Sequence, residues 1–206
     1  MTLVTDIRVT KLGRPTIRKD GIPLTPAEKQ ARYRARLHRA RRKSHRTRVN
    51  GWHEWYTPAV YIEAARAVLG TIDLDPASSI AANSVVQAKR FFTKADNGLT
   101  QEWHGNVWLN PPYSRDLIGR FVDKLLLEIR AGRTQQAILL VHAYTDTGWF
   151  RRATAVSAAL CLTKRIRFWS PDGRSNRSPT QGQALLYYGD NADGFRKAFA
   201  GFGIVR

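Results

Sequence analysis

The sequence predicts an α/β domain with a mostly parallel sheet and flanking helices, preceded by a basic N-terminal helical arm. Three observations predict it. Strand-like apolar runs alternate with helical patterns from about residue 52 onward, the pattern of βαβ units. Ala137-Ile138-Leu139-Leu140-Val141 is apolar without a break, as a central strand covered on both faces requires. Charge is unevenly placed along the chain. Residues 1–50 hold 15 Lys and Arg against three acidic residues, a net +12, while the remaining 156 residues carry only +6. The reading is therefore an arm over 1–50 and a globular domain over 51–206.

The arm opens with a leader short on periodicity, and an Arg-rich helix follows over about 25–47. Thr25 fits an N-cap, Pro26 the first helical position, and Glu28 completes a capping box. Tyr33, Leu37 and Ala40 form a narrow apolar stripe, and the other faces are mostly arginine, with Arg32, Arg36 and Arg39 among them. Like charges this dense repel along an isolated helix. The arm therefore predicts a polyanionic partner, with nucleic acid the first candidate.

In the domain, Thr57-Pro58 reads as an N-cap and first helical residue, with a helix over 58–69 stopped by Gly70. Residues 71–76 form a short strand ending in acidic residues, and residues 90–93 a second. Residues 106–109 form the strand before a proline-rich loop. Leu117, Ile118, Phe121, Val122, Leu125, Leu126 and Ile129 recur at helical spacing over 116–131. A short helix over 146–154, strands over 158–162 and 183–188, and a last helix over 192–200 complete the order.

Composition narrows the function classes. Hydrophobic residues make up 43% of the 206, enough for a real core. No run approaches the roughly 20 apolar residues of a membrane span, and no apolar signal region opens the chain, so a cytoplasmic protein without a membrane partner is expected. The single cysteine, Cys161, lies in an apolar strand and is expected to be buried and inert. No metal is expected.

Asn110-Pro111-Pro112-Tyr113 follows the apolar run Val107-Trp108-Leu109. Two prolines fix their own φ and restrict the residue before each. The loop is stiff and extended, and it stands at a strand end, where open α/β sheets bind ligands. An amide oxygen and a free carbonyl there suit the exocyclic amino group of a flat base or planar amide, and an aromatic ring can stack on it.

The order of several motifs then resembles the phage-type DNA N6-adenine methyltransferases. The residues are Glu54-Trp55-Tyr56-Thr57-Pro58, Asp73-Leu74-Asp75-Pro76-Ala77, Asp96-Asn97-Gly98-Leu99 with Trp103, the proline loop, Thr145-Asp146-Thr147-Gly148-Trp149-Phe150, and Lys164-Arg165-Ile166-Arg167-Phe168. The resemblance covers about residues 52–190 and implies a class I (Rossmann-like) fold using S-adenosylmethionine. It implies that Asn110, Pro111, Pro112 and Tyr113 hold a flipped-out adenine. It further implies that Tyr56, Thr57, Pro58, Asp73, Asp75 and Asp96 serve the cofactor, with either Asp73 or Asp75 accepting from its ammonium group. The usual glycine-rich loop is absent, and Asp75-Pro76-Ala77-Ser78-Ser79 stands in its place. Only 35 residues separate Asp75 from Asn110, too few for two full βα units, so the fold is expected to be abbreviated. DNA contact is assigned to residues 163–183 through Lys164, Arg165, Arg167, Arg174 and Arg177, with Phe168 and Trp169 among them. RNA adenine and protein-glutamine methyltransferases carry the same loop and stay open as alternatives, as does an inactive DNA-binding protein on this scaffold.

Overall fold

A computed structural model describes residues 23–34, 56–169 and 181–206. The chain divides into two compact units, residues 1–53 and 54–206. Arg36, Arg39, Arg174 and Arg177 lie outside the described residues, as do Leu37 and Ala40 of the apolar stripe.

In the first unit, helix α1 covers residues 26–34. Its capping box is reciprocal. The Glu28 carboxylate accepts from the Thr25 backbone N–H at 2.8 Å and hydroxyl at 2.7 Å, and the Glu28 N–H donates back to Thr25 Oγ1 at 3.3 Å. Two N–H groups that a helix start leaves open are thereby satisfied. Arg32 and Tyr33 are exposed.

The second unit is a seven-stranded sheet between two helical layers. Its elements run α2 (Ala59–Leu69), β1 (Leu74–Asp75), α3 (Ile80–Val86), β2 (Arg90–Phe91), β3 (Gly105–Leu109), α4 (Arg115–Arg130), β4 (Thr134–His142), α5 (Gly148–Ala155), β5 (Ala159–Thr163), β6 (Gln183–Tyr188), α6 (Ala192–Phe199) and β7 (Gly203–Val205). A 3₁₀ turn, Gly98–Thr100, precedes β3. The strand order is β2-β1-β3-β4-β6-β5-β7.

The expected parallel sheet holds for half of the molecule. β2, β1, β3 and β4 pair in parallel, whereas the β4–β6, β6–β5 and β5–β7 pairs are antiparallel. β6 is buried along its whole length, and a continuous apolar run carries no sign of strand direction. The abbreviation is visible as well. Between β1 and β3 stand only the seven-residue α3 and the two-residue β2.

Alternate strand residues feed two cores, as a period of two demands. Trp108, Ile138, Leu140, Cys161, Leu185 and Tyr187 pack with Ile62 of α2 and Phe195 of α6. Val107, Leu109, Leu139, Val141 and Leu186 pack with Phe121 and Leu125 of α4 and Phe150 of α5. A fully buried Leu or Ile contributes about 1.5–3 kcal/mol, so these two layers hold the parallel strand ends in place. Cys161 is fully buried, and desolvation pushes its thiol up to about 11. It is inert, as its strand position predicts.

One charge lies inside this core. Glu128 on α4 is fully buried and pairs with Lys124 and Arg133, and the Trp103 N–H points at it from 3.5 Å. Desolvation works against its ionisation, but hydrogen bonds from Arg133 and Lys124 outweigh it and hold the carboxyl below its ordinary range. The contribution is therefore present at neutral pH and lost as pH falls through the folded-state value. Glu128→Ala removes the carboxylate that both cations and the Trp103 N–H share, and is expected to lower stability by about 2–3 kcal/mol in urea unfolding at pH 7. An unchanged midpoint would show the network to be dispensable.

Candidate active site

The parallel half sets the site. The chain leaves β1 for β2 on one side and returns to β3 on the other. Strand order reverses between β1 and β3, and open α/β sheets bind ligands beyond the C-terminal strand ends at such a switch point. Asp75 ends β1, and Asn110 directly follows β3. Leu74 registers with Val107, so the two side chains emerge from neighbouring strand ends.

Asn110 is held from two sides. Its Nδ2 donates to Thr57 Oγ1 at 3.3 Å, and its Oδ1 accepts from the Tyr113 hydroxyl at 2.8 Å. Pro111 is buried and Pro112 exposed, which anchors the loop at one proline and presents it at the other. The Tyr113 hydroxyl also lies 3.4 Å from the Leu140 carbonyl oxygen. Burial first, and the neighbouring Tyr144 phenol second, push that hydroxyl far above its ordinary range, so it remains a donor at any working pH. One face of the Tyr113 ring is covered by His142, with ring centroids 4.0 Å apart and planes at 23°.

Thr57 differs from its sequence reading. The α2 helix starts at Ala59, and the N-cap residue is Pro58 with φ −58° and ψ 142°, without a side-chain cap. Thr57 thus lies outside the helix, is buried, and spends its hydroxyl on Asn110. Tyr56 beside it pairs with Trp169. Their backbones exchange two hydrogen bonds of 2.7 and 3.1 Å, their rings meet edge-on at 4.8 Å, and the Trp169 indole donates to the Thr57 carbonyl at 3.4 Å. The Ser79 hydroxyl, which caps α3, also donates to the Tyr56 hydroxyl at 3.0 Å. Residues 56–58 are therefore tied to Trp169 and to the start of α3.

The two candidate aspartates part company. Asp75 is 3% exposed. Desolvation pushes its carboxyl up to about 7, against the Ser78 hydroxyl and the Ala77 N–H, which favour the charged form. The Ala77 N–H donates to Oδ1 at 3.2 Å, and no described residue pairs a cation with it. Asp73 precedes β1 at the opposite end of the strands. Its carboxylate accepts from Lys89 at 2.7 Å, the Asn106 N–H at 2.9 Å and the Thr71 hydroxyl at 3.1 Å. Desolvation opposes its charge, but these bonds hold it below the ordinary range. Asp73 ties the start of β1 to Lys89 and to the start of β3.

Asp96 follows β2 and is exposed. Its Oδ2 accepts from the Thr93 hydroxyl at 2.7 Å and N–H at 2.8 Å, which lowers its pKa. The Gly98 that follows explains part of its motif. A Cβ at Gly98 would overlap the Pro76 carbonyl oxygen, so only glycine lets this loop press against the turn after β1. The buried Trp103 indole donates to the Gly98 carbonyl at 2.8 Å and locks the contact.

The basic segment after β5 alternates. Ile166 and Phe168 are buried, whereas Lys164, Arg165 and Arg167 are exposed. Phe168 belongs to the core and Trp169 to the Tyr56 clasp, so both rings fill the fold. The backbone N–H of Ile166 donates to Gln183 Oε1 at 3.0 Å. A row of three cations thus leads to the residues that clasp Thr57. Among the described residues no cluster of His, Cys, Asp or Glu could hold a metal, and no helix is long and apolar enough to cross a membrane.

His142 was missed in the sequence because it ends an apolar strand as a single polar residue. Its place beside Tyr113 depends on the β3–β4 pairing.

Comparison with known proteins fits this geometry. Residues 44–192 match the family model described as DNA N-6-adenine-methyltransferase (Dam). The chain is also 35% identical over 108 residues to a DNA N-6-adenine-methyltransferase of Escherichia phage T1. That match covers 52% of this chain and 42% of the phage protein, so it spans less than half of the relative's length. The family match takes in well over half of the chain, from before Thr57 to beyond β6, and the chain belongs to the DNA N-6-adenine-methyltransferase (Dam) family.

Proposed function

We propose that this chain is a DNA adenine-N6 methyltransferase, phage or prophage encoded and acting in the host cytoplasm, on an abbreviated class I methyltransferase fold. The carrying observation is Asn110 at the β1/β3 switch point, its amide oriented by Thr57 and Tyr113. The N6 nitrogen of adenine is a weak nucleophile because its lone pair is delocalised into the ring. Asn110 Oδ1 and the Pro111 carbonyl accept from N6–H. They favour a pyramidal nitrogen and stabilise the positive charge that develops on it. Tyr113 offers its ring to the base, and the target leaves the duplex to reach it.

The residues present fit S-adenosylmethionine. When bound, it supplies a methyl group on a positively charged sulfur. A buried carboxylate without a cationic partner suits a cationic ligand group, and Asp75 is that carboxylate. Tyr56, Thr57 and Pro58 lead into the N-terminus of α2, which suits a carboxylate. Asp96 stands at the same strand edge, beyond β2, for the adenosine side.

Methyl-labelled S-adenosylmethionine incubated with unmethylated DNA, RNA and protein tests the assignment. N6-methyladenine is expected in the DNA digest. Label confined to RNA or protein would move the chain to one of the alternative substrates, and tight DNA binding without transfer would make it a binding protein.

The arm binds backbone phosphates in this reading through Arg32, Arg36 and Arg39; Lys164, Arg165 and Arg167 add further contacts, as do Arg174 and Arg177. Deleting residues 1–48 is expected to weaken DNA binding while sparing cofactor binding. The slope of log affinity against log salt should flatten by about 0.9 for each phosphate that the shortened chain no longer neutralises. An unchanged slope in a salt titration would remove the arm from the interface.

A further inference from the structure

The Tyr113–His142 stack is the inner end of a longer series of rings. His142 meets Tyr144 at 5.2 Å with planes at 42°, and Tyr144 meets Trp149 at 6.5 Å, edge to face. The series starts inside the crevice and ends at the surface. Tyr144 is 40% exposed, and Trp149 is half-buried.

Trp149 packs on the core beside Phe150, whereas the exposed Tyr144 ring belongs to neither core. Phe150 is buried in the core beneath α4 and supplies the apolar anchor for α5. The Tyr144 main chain is fixed independently of its ring. Its N–H donates to the His142 carbonyl at 2.8 Å, and its carbonyl accepts from the Thr147 N–H at 3.0 Å and hydroxyl at 2.8 Å. A short turn thus holds an exposed phenol ring in place at the rim.

The inner rings show why a platform belongs here. Gln183 Oε1 accepts from the Ile166 N–H, so its Nε2 faces His142 as a donor, 3.3 Å from Nδ1. That contact helps hold the imidazole flat on Tyr113, with ring centroids 4.0 Å apart. Neutral planar rings stack on nucleobases without regard to sequence.

We propose that Tyr144, with Trp149 at its edge, forms a second base-stacking subsite that receives the nucleobase next to the extruded adenine in single-stranded or locally opened DNA. The subsite rests on the DNA reading of the same crevice and extends it. A nucleotide pulled from the duplex leaves its neighbour unstacked, and a held ring beside the crevice replaces part of that lost stacking. The occupant is a base because the surface is aromatic and continuous with Tyr113.

Fluorescence anisotropy of the full chain with a labelled single-stranded oligodeoxynucleotide tests this independently of methyl transfer. A second oligonucleotide of equal length carries abasic sites, so phosphate contacts cancel in the comparison. The normal oligonucleotide is expected to bind about tenfold more tightly than the abasic one. Tyr144→Ala should remove most of that ratio, and Tyr144→Phe should keep it, because the ring and not the hydroxyl stacks. The proposal is overturned if the intact chain shows no preference, if Tyr144→Ala retains it, or if Tyr144→Phe loses it. Failure of the DNA methylation assay with this ratio intact would overturn the function and leave the stacking subsite standing.

Discussion

Asn110→Ala is expected to reduce methyl transfer to DNA by about 10²–10³-fold or more, the range for losing one preorganised electrostatic contact to developing charge. Asn110 is only partly buried, and its two side-chain bonds run to Thr57 and Tyr113. The loop itself is held by its prolines, so the fold and most DNA affinity should survive. Loss of kcat with nearly constant oligonucleotide affinity is the expected result, since the contact matters as charge develops. Tyr113→Phe separates the ring from its hydroxyl and should fall between wild type and Asn110→Ala. Wild-type turnover in Asn110→Ala would end the assignment of the loop.

Asp75→Asn carries the second large effect, and its sign changes with what is measured. In the free chain the Asp75 carboxyl is raised from its ordinary value to about 7. A raised carboxyl contributes stability that is present below the unfolded pKa and lost as pH rises through the folded one. The free protein is therefore expected to be less stable at pH 8 than at pH 5 through this group, by up to roughly 3 kcal/mol at about 1.4 kcal/mol per unit over the two units between pH 5 and the folded value. Asparagine is neutral at both pH values, so Asp75→Asn should raise the melting temperature more at pH 8 than at pH 5. Cofactor binding should move the other way. The wild type is expected to bind S-adenosylmethionine more weakly below pH 7, where Asp75 takes up a proton. The variant should bind weakly at every pH. Thermal melts and calorimetric titrations at the two pH values check both halves. A variant that binds the cofactor as tightly as wild type at pH 8 would take Asp75 out of the cofactor site.

Legibility in the sequence followed the range of the interactions. The α2 stop at Gly70, the capping box of Thr25 and Glu28, and the periodic α4 rest on contacts within a few residues, and all were readable. β7 was missed because three residues on a sheet edge leave no pattern. α3 was missed because its single buried side chain, Val86, cannot make a periodicity. The strand reversal of β6 was hidden because all six of its residues are buried. In the site, the proline loop was visible as a string, but its partners were not. Thr57 is 53 positions from Asn110, and its local pattern pointed to a helix cap that the ψ of Pro58 excludes. Asp73 and Asp75 are two residues apart and chemically alike. Only the Lys89 and Asn106 contacts at one end of β1, and their absence at the other, tell them apart.

The Tyr113 hydroxyl has one proton and two oxygens within reach, Asn110 Oδ1 at 2.8 Å and the Leu140 carbonyl at 3.4 Å. A hydroxyl rotates to suit its surroundings. When an incoming amine claims Asn110, that proton can turn to Leu140 without any heavy atom changing place. Under the proposed function, one hydrogen-bond donor is then exchanged for another, and the arriving base would meet an acceptor kept aligned by a stand-in until it came.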